Sequence, residues 1–182
     1  ISQNSEEEEL LKTRKMLENN IEELKNKIIP DSYGIISNKL LNVFEYRDLI
    51  IQLSSYSLIS KNWISLLAKW IGNRKCLEVM AGRGVLSKAL ENCGINIIPT
   101  DSFAWNNMKQ NLWTNIEQID AVSAVKKYGK NVDLILCSWP YTDNAAYEII
   151  RTMYKINKNL KMIYIGEGYN GCCANDKFFD SV

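Results

Sequence analysis

The sequence predicts an α/β chain: an open, mostly parallel β-sheet with flanking helices, preceded by an N-terminal helical extension. Three observations predict it. Between Lys75 and Ile165 short apolar runs alternate with helical stretches, the signature of a parallel sheet with crossover helices. The first run passes directly into a glycine turn and then a helix. Acidic or turn-forming residues follow successive runs, at the carboxyl ends of the strands, where right-handed crossovers gather ligand sites.

The elements follow in order. Ser5 and the acids Glu6 to Glu9 suit the start of a helix, as cap and as partners of its dipole. Leu10, Leu17, Ile21, Leu24 and Ile28 then fall on one face until Pro30 ends the pattern. These positions resemble a short heptad seam in which Arg14 spoils one core site. The stripe suits packing on its own domain, with homodimerisation through this helix as the alternative. Residues 31–72 form a helical lead-in: a helix over Glu45–Leu53, then Lys61–Ile71, capped by Ser60 and carrying an apolar stripe of Trp63, Ile64, Leu67, Ala68 and Ile71. The sheet domain occupies 73–182. Its strand runs are 76–80, 95–98, 116–119, 132–137 and 161–165, and its helices are expected near 84–93, 103–112, 121–128 and 143–157.

Composition narrows the function. The chain has 182 residues with a formal net charge of +1, which gives no global field toward nucleic acid or lipid. Apolar runs fall short of the ~20 residues that a membrane helix needs, so no membrane partner is expected. Histidine is absent, which excludes a Ser-His-Asp hydrolase, a Cys-His protease and any His-ligated metal. The five cysteines show no C-x-x-C spacing, so the expectation is a reducing, cytoplasmic compartment and no metal site.

Chemistry is concentrated at the strand ends. Glu78-Val79-Met80-Ala81-Gly82-Arg83-Gly84 follows the first strand, and its glycines let a backbone approach a ligand beside free amides at a helix start. Pro99-Thr100-Asp101-Ser102 ends the second, and an acid there can accept both hydroxyls of a ribose. Asp120-Ala121 follows the third, where an acid is either a helix cap or a ligand-binding group. Ser138-Trp139-Pro140-Tyr141 ends the fourth: a polar side chain and proline-fixed carbonyls can take the hydrogens of an amino or amide nitrogen, while Tyr141 stacks on a flat acceptor. Glu167, after the fifth strand, is expected to line the acceptor side. Cys172 and Cys173 read as inert thiols.

In this arrangement the stretch from about 60 to 168 resembles the class I S-adenosylmethionine-dependent methyltransferases, which implies a Rossmann-like sheet. Glu78 to Gly84 is similar to their first motif, which implies that Glu78, Met80, Ala81, Gly82 and Gly84 hold the methionine end of S-adenosyl-L-methionine. By the same resemblance Asp101 and Ser102 serve the ribose, and Asp120 and Ala121 serve the adenine. Ser138, Trp139, Pro140 and Tyr141 resemble the catalytic fourth motif of the amino-methyltransferases. Two positions depart from the pattern: Met80 stands where the first glycine is usual, and Trp139 replaces the first proline. Methyltransferases of this class add an antiparallel hairpin after strand five, so the expectation is that the C-terminal strands lie outside this chain or come from a partner.

The function expected is methyl transfer to a small-molecule or protein acceptor, with duplex nucleic acid disfavoured by charge and by the lack of a recognition module. A methyltransferase-like scaffold without turnover is the alternative. A nicotinamide oxidoreductase fits less well, because the turn lacks the later glycine of G-x-G-x-x-G.

Overall fold

The computed structural model describes residues 3–34, 43–104 and 109–182. In chain order the elements are α1 (Gln3–Lys25), α2 (Val43–Leu53), α3 (Lys61–Ile71), β1 (Cys76–Val79), α4 (Val85–Glu91), β2 (Ile97–Asp101), β3 (Glu117–Gln118), α5 (Ala121–Tyr128), β4 (Leu134–Ser138), α6 (Ala145–Ile156), β5 (Lys161–Ile165) and α7 (Asp176–Phe179). Two units divide the chain, Ile1–Ile64 and Ser65–Val182.

In the first unit α1 packs on α2. Leu17 and Leu24 are buried, so much of the apolar stripe of α1 is spent within the chain. Two details differ from expectation. Ser5 lies inside α1 rather than at its cap. The helix also stops before Ile28: Lys27 takes a left-handed φ of 56°, and Ile28 is left 47% exposed. The Lys61 Nζ of α3 pairs with Asp31 at 2.8 Å, and Trp63 donates its indole N–H to the Leu58 carbonyl at 2.9 Å.

The second unit holds the sheet, five strands in the order β3-β2-β1-β4-β5, every pairing parallel. The strand runs are legible because strands covered on both faces must be apolar throughout, and all four residues of β1 and the first four of β4 are buried. Alternation splits their side chains. Leu77, Val79, Ile135 and Cys137 face a core completed by Ala124 and Val125 of α5 and Ile149 and Met153 of α6. Glu78 points the other way, toward α4.

The helix expected over 103–112 is not formed at its described ends. The Asp101 carboxylate accepts the Phe103 N–H at 2.6 Å, and Phe103 and Asn111 take left-handed φ values of 51° and 58°, which a continuing α-helix excludes. Residues 105–108 of that stretch lie outside the described residues. The strand expected over 116–119 shrinks to the two residues of β3. Past β5, the short α7 buries Phe178 against Ala146, Ile150 and Ala174, with its ring 5.0 Å from that of Tyr164.

Candidate functional site

The strand order reverses between β1 and β4: β2 and β3 continue to one side of β1, while β4 and β5 continue to the other. In open α/β sheets this crevice, at the carboxyl ends, is where ligands bind. Val79 pairs with Cys137 across it, so the turn that begins at Met80 and the segment that begins at Ser138 leave the sheet side by side.

The turn after β1 owes its shape to three left-handed residues, Met80, Gly82 and Gly84, with φ of 55°, 57° and 76°. Met80 therefore adopts the backbone that a glycine would take at this position, at a cost of about 1–2 kcal/mol. Gly82 faces open space, since a Cβ built there meets nothing within 4 Å. Gly84 is different: a Cβ would come within 2.8 Å of Thr114 Cγ2 and 3.0 Å of Ile116 Cδ1. It serves as the N-cap of α4, while Trp113 donates its N–H to the Arg83 carbonyl at 2.8 Å. Ala81 donates to the Thr100 carbonyl at 3.0 Å and so extends the β1–β2 pairing into the turn.

Asp101 is the hub. One carboxylate oxygen accepts the Gly82 N–H at 2.8 Å, and the other accepts Phe103. Ser102 beside it is exposed, and its hydroxyl accepts the Ala104 N–H at 3.3 Å. The sheet thus brings Met80, Ala81, Gly82, Gly84, Asp101 and Ser102 to one edge. Asp120 follows β3 as the N-cap of α5, accepting the Ser123 N–H at 2.9 Å; this bond and that of the Ser123 hydroxyl hold its carboxyl below the usual range. Ala121 opens the same helix.

Glu78 is buried, only 2% exposed, with the Ser87 hydroxyl donating to its carboxylate. Burial pushes its pKa up to about 8, against the Ser87 bonds that lower it, and the nearby Asp101 and Glu91 push in the same direction as burial. Its own carbonyl accepts the Thr100 hydroxyl at 2.8 Å. Ser87 was absent from the residues singled out by sequence. Its signal is that it is the one hydroxyl among the buried residues of α4, which are otherwise Val85, Leu86, Ala89 and Leu90.

At the end of β4, Ser138 and Trp139 are half-buried, Pro140 is buried and Tyr141 is 40% exposed. Trp139 donates to the Ile165 carbonyl at 2.7 Å and has a φ of 54°, a value closed to proline. The fourth-motif likeness therefore covers Ser138, Pro140 and Tyr141 in residue type, while the backbone at Trp139 departs from it. The Pro140 carbonyl accepts the Ala174 N–H at 3.2 Å, and Asn175 Nδ2 reaches Asn144 Oδ1 at 2.9 Å, so the C-terminal segment lies against this motif. Nothing in the sequence pattern signals the Ala174 contact.

Glu167 turns its carboxylate to the Cys172 N–H at 2.7 Å. Its hydrogen bond also raises the exposed Cys172 thiol to about 11, and Cys173 is fully buried; both thiols are unsuited to nucleophilic work. Cys137 is likewise pushed up, to about 12, chiefly by burial. Among the described residues no group of three or more His, Cys, Asp or Glu side chains is gathered to hold a metal ion. No helix among them is long and apolar enough to cross a membrane. No protein-family model and no curated protein sequence matches the chain.

Proposed function

We propose that the chain is an S-adenosylmethionine-dependent methyltransferase acting on an amino or amide nitrogen of a small molecule or a protein. The observation that carries this reading is the bond from Gly82 to Asp101 at the reversal of strand order, with Ser138–Tyr141 at the end of the adjoining strand and just past it. The residues suit such a cofactor. Gly82 offers open space beside the N-terminal end of α4, and each Asp101 oxygen, accepting one backbone N–H, keeps a lone pair for a ribose hydroxyl. Asp120 and Ala121, after β3, take the adenine side. When bound, the cofactor supplies an electrophilic methyl group on a sulfonium.

The chain's own residues then orient the acceptor. The Ser138 hydroxyl and the Trp139 carbonyl receive hydrogens of the nitrogen, and the half-exposed Tyr141 ring covers a flat substituent. Asp143 follows the motif by two residues, and its carboxylate accepts the Ala145 N–H at 2.8 Å. The formal net charge of +1 gives no field toward duplex nucleic acid, which supports a small-molecule or protein acceptor. Five free cysteines support a reducing, cytoplasmic setting. The burial of Leu17 and Leu24 leaves less of α1 for a homodimer seam.

Calorimetric titration with S-adenosylhomocysteine, beside NAD as control, tests the cofactor. Binding of the first, weakened by Asp101→Ala, is the expected result; binding of neither, or of NAD alone, would overturn the reading. A cofactor-binding scaffold without turnover is the second reading, favoured by the left-handed backbone at Trp139 and by the Pro140 carbonyl already held by Ala174. A screen of amine and amide acceptors for transfer of a labelled methyl separates the two.

A further inference from the structure

Behind the open turn lies a carboxyl that is almost wholly withdrawn from solvent. Glu78 ends its side chain on Ser87 of α4, on the opposite sheet face from Leu77 and Val79. The groups that act on its carboxyl are Ser87 and Glu91 on α4 and Asp101 on β2; the Thr100 hydroxyl bonds its backbone carbonyl instead, and the Cys137 thiol lies on the opposite sheet face. No cation is among them. A buried carboxyl served by one serine and flanked by two acids is most stable with its proton on. Cys137 stays neutral over the working range, and Asp101 is tied to the Gly82 and Phe103 amides. Charge on Glu78 therefore depends on what occupies the turn in front of it.

Resting on the methyltransferase reading, we propose that Glu78 is a specificity-determining charge: it gives up its proton when a sulfonium occupies the Met80–Gly84 turn, and so favours the charged cofactor over the neutral thioether product. A positive charge near the turn stabilises the carboxylate, and by linkage the carboxylate stabilises the positive charge. Binding of the sulfonium then releases protons to solvent, and its affinity rises with pH until Glu78 is ionised without help. The thioether carries no charge at sulfur and gains less. Starting from a pKa of about 8 in the free protein, a drop of about one unit on binding would release about 0.4 proton at pH 7 and tighten binding about eightfold between pH 6 and pH 9. The consequence is relief from product inhibition, built from one buried acid.

The test is calorimetry of S-adenosylmethionine and S-adenosylhomocysteine in buffers of different ionisation enthalpy, at pH 6 to 9. The proteins are the wild type, Glu78→Gln and Ser87→Ala. The amide keeps the shape of the protonated acid, and the ligand's own ammonium titrates equally in every protein. Expected are proton release on binding the sulfonium that exceeds release with the thioether, loss of that excess in Glu78→Gln, and a shift of the pH profile upward in Ser87→Ala, where a donor to the carboxylate is gone. Binding of both ligands with equal proton release, or an excess that survives Glu78→Gln, would overturn the proposal and leave the cofactor reading standing. Failure of the wild type to bind either ligand would overturn the cofactor reading, and this inference with it.

Discussion

The carboxylate of Asp101, at the end of β2, accepts the backbone N–H of Gly82, in the turn after β1, at 2.8 Å. The same side chain holds Phe103 at 2.6 Å, so one residue fixes two segments at the carboxyl edge of the sheet. Asp101→Ala should weaken binding of S-adenosylhomocysteine by about 1–3 kcal/mol and lower the melting temperature as well, because two part-buried amides lose their acceptor. Asp101→Asn, which keeps one acceptor oxygen, should lose less of both. Calorimetry beside thermal denaturation checks the pair.

Gly82 and Gly84 look alike in sequence and should respond differently to alanine. At Gly82 the methyl group enters open space, so the folded state loses only about 1–2 kcal/mol for the left-handed φ, while the ligand meets the new Cβ. At Gly84 the methyl group would press on Thr114, which is itself held by Glu91 through bonds of 2.9 and 3.0 Å. Gly84→Ala should therefore be the more destabilising change by denaturant titration. Equal losses of stability would contradict the described wall.

Replacing Tyr141 should separate binding from turnover. Tyr141 is 40% exposed, so Tyr141→Ala should cost about 1 kcal/mol of stability and leave cofactor affinity nearly intact. The rate of methyl transfer to a flat amine should fall, with the loss in kcat/KM. A parallel loss of cofactor affinity would move Tyr141 out of the acceptor side.

Glu78 also predicts a pH dependence of folding. Its pKa is raised from 4.5 to about 8 in the folded state, so the native protein binds the extra proton between those values. Stability from this group is full below about pH 4.5 and is lost as pH rises toward 8, at about 1.4 kcal/mol per pH unit. Glu78→Gln should match the wild type near pH 4.5 and exceed it increasingly toward pH 8. Urea melts of both proteins across that range read the difference directly.

Most of the sheet was legible because β1 and β4 are buried on both faces and must be apolar, and because a glycine turn and an acid mark the ends of the first two strands. The apolar spacing after β2 is helical, yet the described ends of that stretch are not. The competing bonds of the Asp101 side chain to backbone, and the left-handed residues at 103 and 111, belong to tertiary structure. The site showed the same division. Residue types announced the acid and the turn, whereas the conformation of Trp139 and the hold of Ala174 on Pro140 arise from packing between distant segments.

That last bond has a consequence for how this chain can vary. Pro140 and Ala174 belong to different stretches, yet they meet at the mouth of the crevice, 3.2 Å apart. A proline at 174 would have no N–H to give, and a bulkier residue there would strain a left-handed backbone whose φ is 55°. Drift in the final segment is therefore felt at the motif after β4, and the two stretches are bound to change in step, as if they were one continuous loop.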